Sequence, residues 1–265
     1  QLQESSSLGI PQSHVANTLS LPFNDVKSLE QTLTRYKDQI ACVILEPVAG
    51  NMGVIPASQE FLQTLRALTK KFNIVLIFDE IMTGFRSSLG CYQSEVNIIP
   101  DITSLGKIIG GGFPIGAYGG RRDIMECLAP LGGVYQAGTF AGNPVVMRAG
   151  LSILRQLSTP VYKKLIKNCD EFAQETNAYF KAKNIEAHLI HYGSMISIRF
   201  RKQAVLNYAD AQQACGGEKY VRLFHHLLKE GIYWPPADLE AFFVSTVHTK
   251  KDLGKLLETI KSFKF

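Results

Sequence analysis

Ile74-Val75-Leu76-Ile77-Phe78 runs straight into Asp79-Glu80, and further on the chain reads Thr103-Ser104-Leu105-Gly106-Lys107-Ile108-Ile109-Gly110-Gly111-Gly112. The first stretch is unbroken apolar sequence rich in β-branched residues, which predicts a buried strand of a parallel sheet. It turns polar at Asp79, and the carboxyl end of a strand is where open α/β sheets bind ligands. Lys107 lies between a second buried strand and a glycine run, where a ligand can approach without side-chain obstruction. An acid and a lysine on adjacent strands suit a pyridoxal phosphate site. The lysine amine links to the cofactor aldehyde and the acid holds a proton on the ring nitrogen. Plainer readings stand beside this one: Asp79 as a cap for the turn that follows, Lys107 as a solvated surface lysine.

Working outward, residues 40–45 form another all-apolar run, predicted as a buried parallel strand that ends at Glu46-Pro47. Between the two strands, residues 58–72 place Phe61, Leu62, Leu65 and Leu68 on one helical face and finish in Lys70-Lys71. Strand, helix, strand is a βαβ unit with a right-handed crossover. A helix is expected over 26–39, capped by Asn24 or Asp25, and an antiparallel strand over 115–119. Helical patterns follow over 144–157, with Asn143 as cap and Pro144 in the first position, and over 161–182. The composition then shifts. Residues 188–201 alternate like one strand, 219–230 form a helix ended by Gly231, 242–246 a strand and 250–263 the last helix. The expected division is an α/β unit over 1–160 and a smaller α+β unit over 161–265.

With 46% hydrophobic residues in 265, the chain can build one large domain or a domain and a half. Its charge of +5 is dispersed, with no basic stripe interleaved with aromatics, which disfavours nucleic acid. No apolar run approaches the ~18 residues of a membrane span. The five cysteines are scattered without a C-x-x-C pair and read as buried thiols in a reducing, cytoplasmic setting. His191, His225, His226 and His248 lack metal-ligand spacing, so no metal site is expected. Residues 1–13 are polar and read as a loop, with neither the charged start nor the apolar core of a signal peptide.

Three segments carry a resemblance. Phe78-Asp79-Glu80-Ile81-Met82-Thr83-Gly84-Phe85-Arg86 resembles a segment of the class III (fold type I) aminotransferases. The lysine segment, Leu105 through Arg121, and Tyr135-Gln136-Ala137-Gly138-Thr139-Phe140-Ala141-Gly142-Asn143-Pro144 are similar to the aminomutase branch of that family. The resemblance implies a fold type I large domain, present in part with a mostly parallel sheet, and a small C-terminal α+β domain. The implied activity is isomerisation of glutamate-1-semialdehyde to 5-aminolevulinate, in tetrapyrrole synthesis, using pyridoxal or pyridoxamine phosphate. It implies Lys107 as catalytic and covalently linked, Asp79 on the ring nitrogen, Ile81 against the ring face and Asn51 near the phenolic oxygen. Gly138 and Thr139 would meet the phosphate, with Thr139 reaching across a homodimer interface. Glu240, in Pro236-Ala237-Asp238-Leu239-Glu240-Ala241-Phe242, would meet the substrate.

Alternatives stay open for several of these: Ile81 as plain core, Gly138-Thr139 as a plain turn, Glu240 as a solvated carboxylate, Glu46 as structural or part of the site. The resemblance also makes this the C-terminal part of a longer enzyme. A second phosphate loop, a ring-stacking aromatic and a substrate arginine would precede Gln1. Two rival functions are an ω-aminotransferase that exchanges amines between two substrates and a cofactor-less structural or dimerising module. The expected location is the cytoplasm, or the plastid stroma in a photosynthetic eukaryote.

Overall fold

The computed structural model describes residues 7–265. Its strands are β1 (Cys42–Leu45), β2 (Val48–Ala49), β3 (Ile55–Pro56), β4 (Val75–Asp79), β5 (Ile102–Gly106), β6 (Gly116–Gly120), β7 (His188–Tyr192), β8 (Met195–Arg199) and β9 (Phe242–Phe243). Its helices are α1 (Gln12–Val15), α2 (Val26–Arg35), α3 (Gln59–Lys71), α4 (Cys91–Glu95), α5 (Arg122–Met125), α6 (Pro144–Leu154), α7 (Thr159–Ala182), α8 (Tyr208–Gln213), α9 (Glu218–Lys229) and α10 (Lys250–Ser262). The main sheet has the order β1-β4-β5-β6, with the first three strands parallel and β6 antiparallel.

Local chemistry sets the ends of these elements. The Ser58 hydroxyl accepts the Phe61 N–H at 3.1 Å and starts α3. Asn73, at φ +55°, turns the chain out of α3 and into β4. Asp25 caps α2 through the Ser28 N–H. Its neighbour Asn24 instead donates to the carbonyls of Pro56 and Leu206, tying two distant segments together.

Leu29 and Leu33 of α2 and Phe61, Leu62 and Leu65 of α3 pack with Leu76 and Phe78 in one core. Burying each such side chain contributes on the order of 2 kcal/mol. The strands are covered on one face, which corrects the expectation of fully buried strands. Leu76 and Phe78 are fully buried, whereas Ile44, on the edge strand, is 60% exposed.

A second core joins α7, α9, α10 and the β7–β8 pair through Phe172, Phe180, Ile196, Ile198, Leu223, Leu227, Leu256 and Ile260. The single strand expected over 188–201 is a hairpin, broken where Gly193 takes φ +55°. All of β8 is buried because it has cover on both faces: Met195 belongs to the first core, Ile196 and Ile198 to the second. The strand expected over 242–246 shrinks to β9. The short helices α4 and α8 were not anticipated, being too brief to show a period.

The cysteine expectation also needs correction: Cys91 and Cys169 are buried, but Cys42, Cys127 and Cys215 are exposed, and all five are free thiols. Among the described residues no cluster could hold a metal ion, and no helix is long and apolar enough to cross a membrane.

Candidate active site

Asp79 ends β4 and stands in register with Ser104 of β5. Its Oδ1 accepts the Ile81 N–H at 3.0 Å and the Ser104 hydroxyl at 3.1 Å. Its Oδ2 has no hydrogen-bond partner among the described residues, and the residue is half-buried, so one carboxylate oxygen is held and the other is open. Ser104 was not singled out from the sequence. Only the register shows that it faces Asp79.

Lys107 opens a 3₁₀ turn at the end of β5, with φ +48°. A non-glycine residue in this left-handed region costs on the order of 1 kcal/mol or more and persists where its surroundings impose it. Gly106, just before it, is buried; a Cβ there would stand 3.2 Å from the Ile81 side chain. Ile81 and the backbone leading to Lys107 therefore pack flush because position 106 has no side chain. The Lys107 side chain itself is exposed.

Glu46 links these groups to the Asn51 turn. Its Oε2 accepts the Gly50 N–H at 2.8 Å. Burial pushes its carboxyl above the ordinary range and the Asp79 carboxylate adds to this, while the Gly50 N–H and the Lys107 ammonium pull it down. Glu46 thus lies within electrostatic reach of both Asp79 and Lys107. Asn51 sits exposed in the 3₁₀ turn Gly50–Met52, and its side chain makes no hydrogen bond among the described residues.

Glu80, next to Asp79, points the other way, as alternation along a strand requires. It is fully buried and accepts from the Thr83 hydroxyl and from the Tyr92 and Gln93 N–H groups at 3.0, 2.7 and 3.1 Å. It anchors the start of α4, and burial raises its carboxyl above the ordinary range. The two adjacent acids therefore have separate tasks, one open to the crevice and one fixed in the core.

Gly138 and Thr139 lie in an exposed turn where the Ala141 N–H donates to the Gly138 carbonyl. Asn143 caps α6 by accepting the Val145 and Val146 N–H groups. α6 then packs against the Lys107 turn. Cβ atoms at Gly150 and Gly111 would meet the Ile109 carbonyl at 2.1 Å and the Ala149 carbonyl at 2.6 Å, so both positions require glycine. Among the described residues, the Thr139 side chain makes no hydrogen bond with Asp79 or Lys107.

Glu240 is exposed on the rim of a cavity of about 680 Å³ that is also lined by Trp234, Phe243 and His248. That cavity includes neither Lys107 nor Asp79. The Arg86 guanidinium lies 4.4 Å over the Phe243 ring and donates to the Met82 carbonyl at 2.6 Å. Burial pulls Arg86 down to about 10, which leaves it protonated near neutrality. The structure thus brings Asp79, Ile81, Ser104, Lys107 and Glu46 together, sets Asn51 beside them, and leaves Thr139 and Glu240 apart from them.

The class-III aminotransferase family matches residues 4–263. The chain is 45% identical over 254 residues to a glutamate-1-semialdehyde 2,1-aminomutase of Desulforamulus reducens, covering 96% of this chain and 59% of that protein. It is 42% identical over 252 residues to the enzyme of that name from Bacillus subtilis, covering 95% and 58%. An omega-transaminase from Sphaerobacter thermophilus superposes with a TM-score of 0.89 at 31% identity, over 96% of this chain and 58% of that one. A glutamate-1-semialdehyde-aminomutase from Pseudomonas aeruginosa PAO1 in complex with PMP shares the fold, with a TM-score of 0.85 at 22% identity over 96% and 58%. The chain spans 59% of the length of the first of these curated relatives. Matched along nearly its whole length by the family, it belongs to the class-III aminotransferases.

Proposed function

We propose that the protein isomerises glutamate-1-semialdehyde to 5-aminolevulinate with pyridoxal and pyridoxamine phosphate, acting as a homodimer in the cytoplasm. The observation that carries this reading is Asp79, half-satisfied at the end of β4, one strand from Lys107 and tied to β5 through Ser104. The 45% identity to an aminomutase supports the choice of substrate. On the same reading, residues 1–160 form the cofactor-binding unit and 161–265 the smaller one; the two cores, under α3 and under α7, support this, with Met195 and Ala241 of the smaller unit packing into the first core.

The residues fit the cofactor: an open carboxylate oxygen, an exposed amine, and glycines at 112 and 116 beside which a Cβ would meet only open space. When bound, pyridoxal phosphate supplies an electron sink for negative charge developing at a substrate carbon. Asp79 Oδ2 holds a proton on a ring nitrogen, with the carboxylate fixed by Ser104 and the Ile81 N–H. Ile81 supports one ring face, and Asn51 donates to a ring oxygen. The Lys107 amine would move the protons in both halves, delivering one to the substrate carbon that gains nitrogen and removing one from the neighbouring carbon that gives nitrogen up. The Gly138 backbone and Thr139 hydroxyl suit a phosphate, and Thr139 would serve the partner subunit's site. Glu240 accepts from the substrate's amine. The aldehyde carbon would gain its nitrogen from the pyridoxamine form and the neighbouring carbon would give its own nitrogen back, so no external donor is consumed.

A second reading, an ω-aminotransferase, is favoured by the fold likeness to the Sphaerobacter enzyme. Glutamate-1-semialdehyde supplied alone separates the two. Quantitative conversion to 5-aminolevulinate is the expected result. Dependence on an added amine donor or keto acceptor would give the second reading instead.

A further inference from the structure

Arg199 is the largest fully buried side chain in the molecule as described, and no step above uses it. It ends β8. Its Nη2 donates to the Ser197 hydroxyl at 2.8 Å and to the Asp238 carbonyl, and lies 3.4 Å from the Asp238 carboxylate. The Asp238 carboxylate in turn accepts the Gly216 N–H at 2.5 Å. Arg199 Nε and Nη1 meet no nitrogen or oxygen acceptor among the described residues, and the Cys215 thiol beside the guanidinium is only a weak acceptor. Buried donors served this poorly are costly, so the guanidinium is not placed for its hydrogen bonds alone.

One side of the guanidinium is occupied. Gly53 lies against it so closely that a Cβ there would stand 3.2 Å from Cζ and Nε. Gly53 and Val54 are consecutive left-handed residues, at φ +96° and +61°. For a β-branched residue this is a true outlier. Val54 is also fully buried, so nothing in solvent relieves it. Strain of this kind persists only where the surroundings impose it. Arg199 provides such a surrounding: it presses on Gly53 from one side and holds Asp238 on the other. Gly53 follows the turn that carries Asn51, and Asp238 is two residues before Glu240.

We infer that Arg199 is a positioning residue, whose buried guanidinium clamps the Gly53–Val54 turn to the Asp238 loop and so fixes Asn51 relative to Glu240. The assignment of Asn51 and Glu240 to the site rests on the function proposed above; the clamp itself does not. Both loops belong to stretches that are distant in sequence, and the β8 side chain bridges them alongside the shared apolar clusters that hold Val54 with Ala241 and Ile55 with Leu239.

The test separates a clamp from a merely structural ion pair. Removing Arg199 alone (Arg199→Met) strands a buried carboxylate and lowers stability whichever is true. Replacing the pair by neutral residues that keep an acceptor for the Gly216 N–H (Arg199→Met with Asp238→Asn) restores folding, since a buried pair is often dispensable for stability. In that double variant we expect amide hydrogen exchange at residues 50–54 and 237–241 to rise together by about tenfold. On glutamate-1-semialdehyde, kcat should fall by roughly tenfold to a hundredfold, while Lys107 still takes up pyridoxal phosphate. If the double variant does not fold, Arg199→Lys keeps the charge but loses the flat face, and the same two readouts apply. Wild-type exchange in both segments, with wild-type kcat, would overturn the clamp. A wild-type protein that makes no 5-aminolevulinate would defeat the proposed function, and the exchange measurement would still decide Arg199.

Discussion

Two aspartates mark opposite ends of the same pair of strands. Asp101 stands where β5 begins, and Asp79 where β4 ends. Asp101 has both oxygens held: Oδ2 accepts the Leu76 N–H at 2.7 Å and Arg66 at 3.0 Å, and Oδ1 takes Arg121 at 3.2 Å. Asp79 has one oxygen held and one open. A carboxylate whose two oxygens are both held by the protein is spent on the fold. One that is oriented but incomplete is available to a ligand. The difference lies in the number of partners, since both acids lie beside the same sheet.

Breaking each end separately should show that division. The largest effect belongs to the site. Lys107→Ala should lower turnover by roughly a thousandfold or more, since one amine supplies both attachment and proton transfer. Its stability should stay within about 0.5 kcal/mol of wild type in denaturant titrations, because Lys107 is an exposed residue. Near-normal turnover would remove the lysine from the mechanism.

The next effect belongs to the other end. Asp101→Ala leaves Arg66, whose side chain is 12% exposed, without its counter-charge. That should cost roughly 3 kcal/mol of stability with no loss of activity per folded molecule. Lost activity at full stability would mean that the two ends are not separate.

Asp79→Asn sharpens the comparison. Asparagine keeps an acceptor for Ser104 and the Ile81 N–H but removes the charge. Turnover and cofactor retention should drop together, turnover by about a hundredfold, with stability nearly unchanged. A variant that fails to fold but keeps its activity per folded molecule would make Asp79 a second Asp101.

The smallest effect is on pH dependence. Burial alone would raise the Asp101 carboxyl, but the Leu76 N–H, Arg66 and Arg121 hold it below its ordinary range. Its contribution is therefore present above the unfolded value and lost as pH falls through the lower folded value. Glu80 has the opposite sign. Its folded carboxyl is raised, so the folded state binds the proton more tightly and stability declines as pH rises from the ordinary glutamate range through the raised value. Glu80→Gln should flatten that decline and leave the acid-side slope of Asp101 in place. An unchanged profile would show that Glu80 ionises equally in folded and unfolded chains.

These contrasts also show what the sequence could reveal. Asp79 and Lys107 were legible because each stands at an abrupt local change, from an apolar run to an acid and from a strand to a glycine run. The βαβ unit was legible because the α3 face carries a helical period and the β4 run is an unbroken apolar stretch. Ser104 needed the β4–β5 register. Asp101 looked no different from any aspartate, since its partners Arg66 and Arg121 come from distant elements. The β7–β8 hairpin was hidden because both strands alternate and only Gly193 breaks them. Arg199 was invisible because a charged residue in an alternating strand reads as solvent-facing, whereas β8 is covered on both sides. Burial on one face of β1 and β4, and on both faces of β8, is a property of how layers stack.

The most direct test of the central claim, that Lys107 and Asp79 form a pyridoxal phosphate site, is to map where the cofactor attaches. The protein is incubated with pyridoxal phosphate, reduced with borohydride, digested and analysed by mass spectrometry. The account predicts the reduced cofactor on Lys107 at about one per chain, with occupancy reduced in Asp79→Asn at limiting cofactor. Stable attachment at other lysines with Lys107 unmodified, or no attachment at saturating cofactor, would contradict it.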